Sequence, residues 1–75
     1  MPKLPVLSGS AVVQALERLG FEQVRQRGSH VVMRRGSVGT IVPLHNELKV
    51  GTLTGILRQA QIPAEEFQAI IEGGL

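Results

Sequence analysis

The spacing of hydrophobic positions along this chain changes period twice, and each change marks a change of secondary structure. Apolar residues at Val12, Val13, Leu16 and Leu19 follow the three-and-four spacing that puts one stripe on a helix. Ser8-Gly9-Ser10 offers a capping serine ahead of them, and Gly20 tolerates a left-handed exit, so the first helix is read from Gly9 to Leu19. The period then drops to two. Gln23 to Arg27 and His30 to Arg35 alternate on either side of Gly28-Ser29, the pattern of a hairpin with a two-residue turn. Gly36-Ser37-Val38-Gly39 reads as a four-residue loop, and Thr40 to His45 as a third strand. Pro43 has no N–H to give to a ladder, which assigns that strand to an edge.

Helical spacing returns at Leu53, Ile56, Leu57 and Ala60, in a helix beginning near Lys49 to Thr52 and weakened by Gly55. Pro63 opens a short third helix with Glu65 and Glu66 in its first turn, where negative charge suits the dipole. Phe67, Ile70 and Ile71 form its apolar stripe, and Gly73-Gly74 ends it. The order α-β-β-β-α with an added C-terminal helix predicts an α+β fold, the helices covering one face of a three-stranded antiparallel sheet. Residues 1–75 are read as one domain without repeat or linker.

Turn lengths set a register. A two-residue turn opposes Arg27 to His30, Arg25 to Val32 and Val24 to Met33. A four-residue second loop opposes Arg35 to Thr40, Met33 to Val42, Val31 to Leu44 and His30 to His45. Alternation then puts Val24, Val31, Met33, Val42 and Leu44 under the helices and Arg25, Arg27, His30, Arg34 and His45 on the opposite face.

Composition narrows the chemistry. There is no Cys, Trp, Tyr or Asp, and all 6 acidic residues are Glu. The lack of Cys removes disulfide scaffolds, thiolate zinc sites and cysteine nucleophiles, and is compatible with a reducing, cytoplasmic setting. Nothing approaches the roughly 20 apolar residues of a spanning helix, and Met1 to Leu7 is too short and proline-rich for a signal peptide. No membrane is implied.

Net charge is only +2, but it is unevenly placed. Gln23 to Asn46 carries Arg25, Arg27, Arg34 and Arg35 without an acid, whereas Gln59 to Leu75 carries three glutamates without a base. Arginines suit phosphate because the planar guanidinium donates two parallel hydrogen bonds. The plain alternative is a solvated strand face.

His30, at the hairpin turn among arginines, is the leading candidate for chemistry. It competes with a strand-terminal histidine that merely satisfies a turn carbonyl, and His45 with a simple loop anchor. His30, His45 and Glu47 could ligate a metal by residue type, but cationic neighbours oppose a divalent ion, so neither metal nor other cofactor is assigned. A serine triad lacks an orienting Asp, Gly51-Thr52 is too sparse for a P-loop, and no GxGxxG follows a strand. Metal-free acid–base chemistry on a phosphate-bearing ligand remains.

Four blocks, in order, give the chain a family likeness: Leu19-Gly20-Phe21; Gly28-Ser29-His30-Val31-Val32-Met33; Val42-Pro43-Leu44-His45; and Gly51-Thr52-Leu53 leading into Ile56-Leu57-Arg58-Gln59-Ala60. Together they resemble the HicA/YcfA family of toxin–antitoxin toxins over nearly the whole length. The resemblance implies a double-stranded-RNA-binding-domain-like fold, translation-independent cleavage of mRNA, and neutralisation by a HicB antitoxin, with a higher-order complex left open. It also implies that His30 is catalytic. Two positions depart from the family pattern: neutral Thr54-Gly55 follows Leu53 where a basic residue is usual, and Gln61 follows Ala60 where glycine is usual. A lost cation weakens the electrostatic term of RNA binding.

The mechanism read from these residues makes His30 the general base, Arg27 and Arg34 charge stabilisers, and His45 or water the acid. Arg25, Arg34, Lys49 and Ser29 are the expected RNA contacts, Lys49 acting with the free amides that open the second helix. Two alternatives stand beside it: a non-catalytic RNA-binding module using the same basic face, and a small interaction subunit whose arginines bind an acidic partner.

Overall fold

The computed structural model describes residues 4–74. Its elements run α1 (Gly9–Arg18), β1 (Glu22–Arg27), β2 (His30–Arg35), β3 (Val38–Pro43), α2 (Val50–Ala60) and α3 (Ala64–Glu72). This is the α+β order that the periodicity predicts. The strands form one antiparallel sheet in the order β1-β2-β3, so the Pro43 strand is indeed an edge. α1 lies across all three strands and also touches α3, while α2 packs against β3.

Sequence chemistry fixes the ends of the helices. The Ser8 hydroxyl accepts the Ala11 N–H at 3.1 Å and caps α1. At the other end Phe21 N–H reaches the Leu16 carbonyl and Gly20 N–H the Glu17 carbonyl, with Gly20 at φ +95°. That is a Schellman closure, and it turns the chain from α1 into β1 with Phe21 buried. α2 ends the same way, with Ile62 N–H on the Leu57 carbonyl and Gln61 N–H on the Arg58 carbonyl. Here the left-handed position is held by Gln61 at φ +59°, the backbone reason a glycine is expected there. Pro63 caps α3 from outside rather than beginning it.

The core contains Val12, Leu16, Val31, Met33, Val42, Leu53 and Phe67, all fully buried. Val31, Met33 and Val42 come from the sheet face predicted to be apolar. Val24 does not. A bulge between Gln23 and Arg25 absorbs one residue, so Gln23 rather than Val24 pairs with Met33. Gln23 takes the helix side and reaches Glu17 at 3.4 Å, and Val24 is left 58% exposed.

The second hairpin also departs from the expected register. Gly36 adopts φ +61°, so Gly36-Ser37 alone makes the turn, and Val38 and Gly39 join β3 instead of looping out. β3 consequently pairs two residues out of the predicted register: Arg35 faces Val38, Met33 faces Thr40, Val31 faces Val42 and His30 faces Pro43. A slip of two preserves the faces, which is why Val42 remains inside. It also buries Thr40, whose hydroxyl donates to Gln59 Oε1 at 3.0 Å. The strand ends at Pro43, leaving half-buried Leu44 packed against the core and His45 in the following loop.

Candidate active site and nucleic-acid interface

Which side chains reach the open face follows from strand parity. His30, Val32 and Arg34 of β2 point away from the helices, and the register sets Arg27 opposite His30 and Arg25 opposite Val32. From β3, Pro43, Ile41 and Gly39 stand opposite the same three β2 residues. Arg25, Arg27 and His30 thus line a hollow of about 470 Å³ with Val32 and Ile41 as its apolar floor. His30 and both arginines are exposed. Among the described residues, no hydrogen bond engages the side chains of Arg25, Arg27, His30 or Arg34.

The turn that presents His30 is pinned on both sides. Gly28 takes φ +56° and opens it, and the Gln26 amide donates to the Gly28 carbonyl at 3.0 Å. The Leu44 N–H donates to the Ser29 carbonyl at 2.6 Å, tying the end of β3 to the residue before His30. The Ser29 side chain is exposed beside His30. An imidazole on a fixed turn, flanked by cations and open to solvent, can exchange a proton with a bound molecule while guanidinium groups hold its negative charge.

The fourth arginine of the cationic segment has another task. Arg35 points to the helix side, donates to the Leu19 carbonyl at 2.7 Å and lies 4.8 Å from the centre of the Phe21 ring. It closes the C-terminus of α1.

His45 is not the cross-strand neighbour of His30, because the two-residue turn at Gly36-Ser37 puts Pro43 in that position. Its carbonyl accepts the Gly9 N–H at 2.9 Å, so the backbone of His45 anchors its loop to α1 while its ring is exposed. Lys49 is the exposed cap residue of α2, and no side chain caps the first amides of that helix. Neither His45 nor Lys49 lines the hollow around His30. Among the described residues, no three His, Cys, Asp or Glu side chains gather as a metal-binding set, and no helix is long and apolar enough to cross a membrane.

Sequence reasoning passed over Val32, Ile41 and Gln59. Val32 shares the parity of His30 and Arg34, a signal hidden by the unbroken run Val31-Val32-Met33. Gln59 carries no comparable signal, since only the packing of α2 on β3 brings it to the sheet.

Comparison with known proteins adds an independent line. No curated protein matches the chain. The family model described as the HicA toxin of bacterial toxin–antitoxin matches residues 9–62, well over half of the chain. That span runs from the first residue of α1 to the residue that closes α2, and it includes the whole sheet with His30 and its arginines. On the strength of that match, the chain belongs to the HicA toxin family.

Proposed function

We propose that this toxin-family protein is a metal-independent endoribonuclease that cleaves mRNA in the cytoplasm and is neutralised by a HicB-like antitoxin. One observation carries the reading: His30 is held on a pinned turn, exposed, with Arg27 opposite and Arg25 in the same hollow. RNA contains its own nucleophile, so a protein of this size need only move protons and stabilise charge. His30 removes the proton of the ribose 2'-hydroxyl, and the 2' oxygen attacks phosphorus. Arg27 stabilises the extra charge on the phosphorane, and Arg25, Arg34, Ser29 and Lys49 hold neighbouring parts of the strand. The bond to the 5' oxygen breaks and that oxygen takes a proton, from water or from His45. The products are a 2',3'-cyclic phosphate and a 5'-hydroxyl.

The same face suits an acidic antitoxin. A complementary protein covering Arg25, Arg27 and His30 would exclude RNA, and its association should slow as salt rises.

The test is cleavage of a short RNA and of the same strand with a single 2'-deoxyribose at the cut site, both with saturating chelator. The expected result is cutting of the first to a cyclic phosphate end and resistance of the second. Cutting of the deoxy-substituted site at a similar rate, or loss of all cutting on chelation, would overturn the proposal.

A further inference from the structure

A second hollow, about 480 Å³, shares the Val32–Ile41 floor of the first and passes over the β3 edge toward Thr40 and Gln59 on the helix side. Its walls are Arg34, Gly39, Thr40 and Gln59. Arg34 lies four residues along β2 from His30, roughly 13 Å at strand rise, so a strand cut at His30 reaches this hollow with a neighbouring nucleotide.

The side chains free to meet a ligand are mainly donors. Thr40 is buried, and its hydroxyl donates to Gln59 Oε1 at 3.0 Å. That bond engages one lone pair of Gln59 Oε1, holds the oxygen toward Thr40 and leaves the NH₂ group to serve the exposed side. Opposite, Arg34 brings a guanidinium that no hydrogen bond among the described residues engages, and it lies beside the bare backbone of Gly39. A Cβ at Gly39 would stand 3.8 Å from Arg34 Nε. The hollow therefore offers donors from two sides over an apolar floor.

Bases differ in what they present to such a set. On the edge that faces the major groove in a duplex, guanine presents its O6 and N7 acceptors and uracil its O4 carbonyl, whereas adenine and cytosine present an exocyclic amino donor that would face the donors of Gln59 and Arg34. The edge is accessible in a single strand, where a base can be splayed out onto the protein.

We propose that Arg34 and Gln59, the latter oriented by Thr40, form a base-reading subsite that favours guanine or uracil at one position beside the cut. This rests on the nuclease reading above and adds to it a specificity element outside the hollow of His30.

The experiment uses the full-length protein and short unstructured RNAs with one cut site, each neighbouring position varied among the four bases. At one of those positions the wild type is expected to cut the guanine or uracil strands roughly tenfold faster than the adenine or cytosine strands, the scale of one good base contact. Gln59→Ala should bring that ratio close to one. Gln59→Glu, which substitutes an acceptor for the donor, should move the preference toward amino bases. Circular dichroism of both variants verifies the fold. Cutting by the wild type without such a preference, or an unchanged ratio in Gln59→Ala and Gln59→Glu, would overturn the subsite and leave the nuclease reading standing. Failure of the wild type to cut any of the strands would overturn both.

Discussion

The same substitution, glycine to alanine in a helix, should have opposite effects at the two ends of this molecule. Gly9 is the first residue of α1, and a Cβ built on it would lie 1.9 Å from the Pro43 carbonyl oxygen and 2.8 Å from Leu44 Cα, where real Cβ contacts begin near 3.0 Å. Both neighbours are backbone, so no flexible side chain can yield. To admit a methyl group, α1 must withdraw from the end of β3 and stretch the Gly9 N–H bond to the His45 carbonyl, now 2.9 Å. Overpacking of this kind costs about 1–3 kcal/mol, and a lost hydrogen bond about 1 kcal/mol more. For a domain this small each kcal/mol is worth roughly 4–8 °C, so Gly9→Ala should lower Tm by about 10–30 °C. Gly55, in the middle of α2, has nothing within 4 Å of its Cβ position. Gly55→Ala should raise stability by about 1 kcal/mol through helix propensity alone. Thermal unfolding of both variants, followed by circular dichroism, supplies the check. Gly9→Ala melting within 2–3 °C of the wild type, a shift smaller than about 1 kcal/mol produces, would refute the close-contact argument. The packing matters for function as well, because the segment Gly9 supports is the one whose Leu44 N–H holds the Ser29 carbonyl beside His30.

Four further outcomes follow from particular residues. Gln61→Gly should stabilise the protein by about 1 kcal/mol in urea unfolding, because glycine relieves the left-handed conformation at φ +59°. Arg35→Ala should lower Tm by removing the bond to the Leu19 carbonyl and the contact over Phe21, and leave the salt dependence of RNA binding unchanged. Arg27→Ala should do the reverse, weakening RNA binding and flattening its salt slope by about one phosphate contact. His45→Ala should slow cleavage much less than His30→Ala, because water can replace an acid that does not stand beside the base. Equal losses from the two substitutions in single-turnover assays would restore His45 to a central role.

The fold was legible because its signals are local. Helical stripes at Val12, Val13 and Leu16 and at Leu53, Ile56 and Leu57, the Gly28-Ser29 turn, and Pro43 as an edge marker each act within a few residues. Register was legible only in parity. The alternation of Val31, Met33 and Val42 fixes which face is buried, but a shift of two residues costs nothing in that pattern. Only the geometry of Gly36 decides between a four-residue loop and a two-residue turn. That difference removed His45 from the side of His30 and buried Thr40. Val24 was misplaced for a related reason, since a bulge consumes a residue without leaving a mark in the hydrophobic pattern. The arginines illustrate the remaining gap. Charge along the sequence groups Arg35 with Arg25, Arg27 and Arg34, whereas strand parity turns it to the opposite face, against Phe21 and the end of α1.

The proposed chemistry depends most heavily on His30, and the most direct measurement is RNA cleavage by purified His30→Ala with its thermal unfolding recorded in parallel. The His30 side chain is exposed and makes no hydrogen bond among the described residues, so its removal should change stability by no more than about 0.5 kcal/mol. Loss of a general base should lower the cleavage rate by about two to four orders of magnitude. A variant that unfolds like the wild type and no longer cuts RNA is the predicted result. A variant equally well folded that cuts at the wild-type rate would contradict the account.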